Sequence, residues 1–116
     1  DLVVARERLP AVRALLDARG YRVLRDRLPT ALAVRDTAGR EVDLHPVDLE
    51  PDGGGEQVLP GGTRWRYGPP ALGTVAGRAV RCASAADQVR MHDGYELRDV
   101  DRHDLRLLRR LQGGGA

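Results

Sequence analysis

Apolar and polar residues alternate along this chain with two distinct periods, and the places where the period changes mark its elements. Leu2, Val3 and Val4 form a short β-branched run that reads as the end of a strand. Leu9, Val12, Leu15 and Leu16 then recur at helical spacing, with Pro10 in the first turn and Gly20 as the stop. Residues 21–24 and 31–35 read as strands joined across Leu28 and Pro29, and residues 36–39 as a turn. Residues 40–47 return to period two, completing a hairpin. Residues 51–55 and 60–62, rich in Gly and Pro, read as an irregular and flexible surface region. Residues 74–83 read as a short strand pair. Ser84 is placed to cap a helix reaching about His92, and Asp99 or Asp101 to cap a last helix striped by Leu105, Leu108 and Leu111. A strand, a helix, a meander of strands and then more helix make an α+β fold with a mixed sheet.

Composition narrows the chemistry. All 19 basic residues are arginine, which leaves no lysine for a Walker-type phosphate loop or a Schiff base. The net charge is only +2 with acids and bases interspersed, so no clustered basic face marks a nucleic-acid partner. Cys82 is the single cysteine and reads as a small buried hydrophobe; a disulfide or a cysteine-based zinc site within one chain is excluded. No run of about 18 apolar residues predicts a membrane span, and a cytoplasmic location is the default expectation.

The most informative stretch runs from Arg40 to Pro46. Alternation puts Val42 and Leu44 on one face and Asp43 and His45 on the other, about 6.6 Å apart along the strand. A carboxylate beside an imidazole, backed by an apolar face, can form the wall of an active site. The same spacing also suits an ordinary solvated strand. Trp65 and Tyr67 suit either a stacking platform or packing anchors, and packing is favoured because aromatics are so scarce. Asp101, His103 and Asp104 mimic a metal cluster, but His103 leaves the face that the two aspartates share, so a solvated surface is expected.

Read together, Asp1 to Val4, the amphipathic helix, the hairpin and Val42-Asp43-Leu44-His45-Pro46 resemble the aminoglycoside and lincosamide nucleotidyltransferases of the polymerase-β-like superfamily. Residues 73–84, with Gly73, Val75, Gly77, Val80, Cys82 and Ser84, and residues 92–104 are similar to later segments of that family. The resemblance implies a nucleotidyltransferase-like mixed sheet with flanking helices. It implies transfer of a nucleoside monophosphate, AMP in particular, from a nucleoside triphosphate such as ATP to a hydroxyl of a small-molecule antibiotic, with Mg²⁺ as cofactor. By the same resemblance Asp1 is a metal ligand, and Asp43 is the general base and a further metal ligand. His45, Tyr95 and Glu96 face the substrate.

Family members carry an Asp-x-Asp pair, whereas position 3 here is Val, so Asp1 corresponds to the second aspartate. The first aspartate and a glycine-rich phosphate turn are then expected upstream. On that expectation residues 1–112 are a partial domain lacking its first strand/helix region, residues 113–116 are a disordered tail, and activity is weak or lost. Two alternatives remain: a non-catalytic remnant that binds a ligand or partner, and a transferase acting on a protein acceptor.

Overall fold

The computed structural model describes residues 1–92 and 96–114. Strand β1 (Leu2–Ala5) leads through a single 3-10 turn at Arg6–Arg8 into helix α1 (Leu9–Ala18). Proline near the start of α1 sacrifices an N–H that has no helical partner anyway. The helix ends where Gly20 takes a φ of +88°, with the Gly20 N–H donating to the Asp17 carbonyl and the Tyr21 N–H to the Leu16 carbonyl, both at 3.0 Å. This closing pattern needs a left-handed residue at Gly20, which glycine adopts without a Cβ penalty.

Five strands follow: β2 (Arg22–Arg27), β3 (Ala31–Arg35), β4 (Glu41–Leu49), β5 (Gly55–Val58) and β6 (Arg64–Tyr67). They run in the order β2-β3-β4-β5-β6, and β1 joins the sheet beside β4. The β1–β4 pairing is parallel, whereas β2–β3, β3–β4 and β4–β5 are antiparallel. The mixed sheet and helices make the expected α+β fold. Residues 1–66 form one compact unit and residues from 67 onward a second.

Strand β4 is the spine of the first unit. Leu44 lies between Leu2 of β1 and Leu32 of β3 and is fully buried. Leu9, Leu32, Val34 and Leu44 form the core, with Val4, Val12, Leu16, Tyr21 and Val42 packed around them. α1 therefore covers the even-numbered face of β4, and burial of each leucine contributes about 1.5–3 kcal/mol. Leu15, expected on this apolar stripe, is instead 65% exposed. At 100° per residue it lies well off the line through Leu9, Val12 and Leu16.

The region from 51 to 62 is not the irregular loop that its composition suggests. It contains β5 between two tight turns, closed by the Glu50 N–H donating to the Gly54 carbonyl at 2.8 Å and the Leu59 N–H to the Thr63 carbonyl at 2.7 Å. Gly55 lets the backbones meet, because a Cβ there would lie 2.7 Å from the Asp48 carbonyl oxygen.

In the second unit β7 (Ala71–Val75) and β8 (Arg78–Cys82) form a two-stranded hairpin. Helix α2 (Ala85–Met91) starts as expected, with the Ser84 hydroxyl accepting from the Asp87 N–H at 3.1 Å. Helix α3 spans Asp99–Gly114 and so includes Gly113 and Gly114. Leu105 and Leu108 are buried while Leu111 is exposed. Asp101 is inside the helix and not at its cap: its carboxylate reaches back to accept from the Arg98 N–H at 2.9 Å, satisfying an end group of the first turn. It is buried rather than solvated because Arg98 and that backbone group hold it.

Candidate active site

The β1–β4 register sets the geometry of the acidic face. Leu2 pairs with Leu44 and Val3 with His45, so one step back along both strands brings Asp1 beside Asp43. Parallel neighbours point the same way, and residues two apart share a face. Asp1, Asp43 and His45 therefore project together from the face of the sheet opposite the Leu44 core. One ligand-type atom from each lies within 4.8 Å of the others. The His45 Nε2 is 3.6 Å from Asp1 Oδ1. Asp1 is exposed, whereas Asp43 and His45 are partly buried. On the neighbouring strand Ala33 pairs with Asp43, so a short, buried side chain adjoins the carboxylate.

Most acidic side chains here are matched by arginine: Asp17 by Arg22, Asp36 by Arg40, Asp48 by Arg6 and Arg64, and Glu50 by Arg66. Among the described residues, no arginine pairs with Asp1 or Asp43, and the only ion-pair partner of Asp1 is His45. Two carboxylates side by side repel unless a cation or a proton intervenes. His45 supplies little charge, because burial pushes its pKa below the usual imidazole value, a shift that Asp43 opposes. Two oxygen donors on one open face suit a hard divalent cation such as Mg²⁺.

Gln57 of β5 completes the inner side of the site and is buried. Its Nε2 lies 2.8 Å from the Thr30 carbonyl oxygen and 3.1 Å from His45 Nδ1. Sequence reading missed it, since no local pattern links residue 57 to residue 45.

Glu96 is exposed in the second unit, in the segment between α2 and α3, and Tyr95 lies outside the described residues. Trp65 and Tyr67 are half-buried, and burial, followed by the nearby Asp87 carboxylate, raises the Tyr67 phenol above its usual pKa. Cys82 is half-buried, with its thiol 3.7 Å from the Ala71 carbonyl. A cleft of about 330 Å³ between α1 and β2, lined by Arg13, Leu16, Tyr21 and Val34, opens on the helix side of the sheet. Among the described residues no helix is long and apolar enough to cross a membrane.

Comparison with known proteins gives concordant results. The profile of the aminoglycoside-2''-adenylyltransferase family matches residues 1–108. A lincosamide resistance protein from Staphylococcus haemolyticus is 25% identical over 92 residues, which are 78% of this chain and 57% of that protein. The chain thus spans little more than half the length of this relative. The crystal structure of a lincosamide antibiotic adenylyltransferase with lincomycin bound superposes with a TM-score of 0.77 at 23% identity, over 92% of this chain and 69% of the other.

Proposed function

Since the chain belongs to the aminoglycoside-2''-adenylyltransferase family, we propose that it serves nucleotidyl transfer, moving AMP from ATP to a hydroxyl of a lincosamide or aminoglycoside antibiotic. The observation that carries this reading is the pairing of Asp1 and Asp43 on one open sheet face without an arginine to neutralise either. A charged small molecule and a triphosphate both need an accessible surface, and this face is exposed at Asp1 and partly open at Asp43.

In this reaction the acceptor hydroxyl oxygen forms a bond to the α-phosphorus and pyrophosphate departs with the electron pair of the broken P–O bond. The hydroxyl proton passes to a carboxylate oxygen of Asp43, the partly buried member of the pair, acting as general base. Asp1 and Asp43 would hold Mg²⁺, which when bound neutralises phosphate charge and polarises the phosphoryl group. His45 lies next to Asp43 on the strand and close to Asp1, so it is positioned to bond the acceptor or a phosphate oxygen. By the family resemblance Glu96, an exposed carboxylate, would pair with the ammonium groups of an aminoglycoside.

The test is product analysis. The protein, with whatever residues its gene encodes upstream of Asp1, is incubated with ATP and MgCl₂ and, separately, a lincosamide and an aminoglycoside, and the antibiotic is weighed by mass spectrometry. An adduct of one AMP on either antibiotic is expected. Unmodified antibiotic in both cases, with the chain folded, overturns the transfer reading in favour of a ligand-binding module.

A further inference from the structure

The chemical role of His45 follows from its neighbour. An amide Nε2 donates two hydrogens and accepts none, and a backbone carbonyl only accepts. Because the Gln57 atom 2.8 Å from the Thr30 carbonyl oxygen must donate, that atom is the nitrogen, and the orientation of the amide is fixed by chemistry. The same nitrogen lies 3.1 Å from His45 Nδ1, so its second hydrogen points at the ring. A ring nitrogen facing a donor must present its lone pair.

We propose that Gln57 is a positioning residue that holds His45 as its Nε2–H tautomer, a neutral hydrogen-bond donor at the acidic face and not a metal ligand there. The ring proton then faces Asp1 Oδ1, 3.6 Å away, where it can bond that carboxylate or a phosphate or acceptor oxygen placed beside it. Metal-ligating histidines show the reverse arrangement, donating the distal N–H to a carboxylate or carbonyl so that the proximal lone pair meets the metal. Although all three side chains come within 4.8 Å, the donor set open to a cation is thus the two carboxylates alone. This selects a hard, oxygen-seeking ion over one that favours imidazole. The assignment rests on reading this face as the transfer site.

The tautomer is read directly, without turnover, from long-range ¹H–¹⁵N correlation spectra of the ¹⁵N-histidine-labelled chain at a pH of about 8, where the ring is neutral. The His45 signals are identified by their loss in His45→Gln. The expected pattern is a pyridine-like Nδ1 and a pyrrole-like Nε2. In Gln57→Glu, where an acceptor replaces the donor, the pattern should invert. Gln57→Met, which removes the donor while keeping the volume, should give averaged shifts from both tautomers. A pyrrole-like Nδ1 in the unmodified chain overturns the proposal. So does an unchanged Nε2–H pattern in a folded Gln57→Glu or Gln57→Met variant. Failure of AMP transfer would leave these spectra as they are, so the two readings fall separately.

Discussion

Replacing Asp43 with asparagine should have opposite effects on stability without and with a divalent cation. The register brings the Asp1 and Asp43 side chains together, with ligand atoms no more than 4.8 Å apart. Two unit charges at about 5 Å in an aqueous dielectric repel by about 1 kcal/mol. Dissolved salt offsets part of this. Asp43→Asn is nearly isosteric and leaves the core beneath untouched, so in EDTA it should stabilise the chain by a few tenths to about 1 kcal/mol. For a unit of this size that is a rise in Tm of several degrees at most. Addition of Mg²⁺ reverses the order. An ion bound only by the native state contributes RT ln(1 + [L]/Kd), about 2.7 kcal/mol at a hundredfold excess over Kd. The unmodified chain should gain this and the variant, with one carboxylate lost, should gain little. Circular-dichroism melts in EDTA and in a Mg²⁺ titration measure both quantities. A variant that melts lower in EDTA and responds to Mg²⁺ like the unmodified chain would refute the argument, since both the repulsion and the shared ion would then be missing.

Other consequences follow from the fold. Leu44→Ala empties the fully buried centre of β4 and should lower unfolding free energy by about 2–5 kcal/mol in urea titrations, whereas Leu15→Ala, at an exposed position, should change it by no more than about 0.5 kcal/mol. Gly20→Ala should cost about 1–2 kcal/mol in the same assay: open space surrounds that position, so only the left-handed backbone is penalised. Asp101 has its pKa held down by the hydrogen bonds from Arg98, side chain first and then backbone. A carboxyl with a depressed folded value contributes stability above its unfolded pKa and loses it as pH falls through the folded one. The melting temperature should therefore drop below a pH of about 4, and Asp101→Asn should flatten that part of the curve.

The acidic face was readable in the sequence because it depends on few unknowns. Period-two alternation through Val42, Asp43, Leu44 and His45 separates a core face from an open one, and the family resemblance pairs Asp1 with Asp43. The parallel β1–β4 register then brings them together. The sequence does not encode Gln57 in any comparable way. Its contacts with Thr30 and His45 cross 27 and 12 residues, and they depend on β5 being a strand, a fact hidden by the glycines around it. Gly55 is the informative case: it looks like loop composition, yet it is there because β4 and β5 approach too closely for a Cβ. Asp101 shows the same limit. An exposed-looking acidic residue in a charged helix is buried because the Arg98 N–H and guanidinium both point at it.

The transfer assay itself tests the central claim most directly, comparing the unmodified chain with Asp43→Asn on ATP, Mg²⁺ and whichever antibiotic is modified. Loss of the general base should lower the rate about 10²–10⁴-fold while the melt in EDTA shows a folded protein. Equal rates for the two proteins would contradict the account, because the proton of the acceptor hydroxyl would then be leaving to a group other than Asp43.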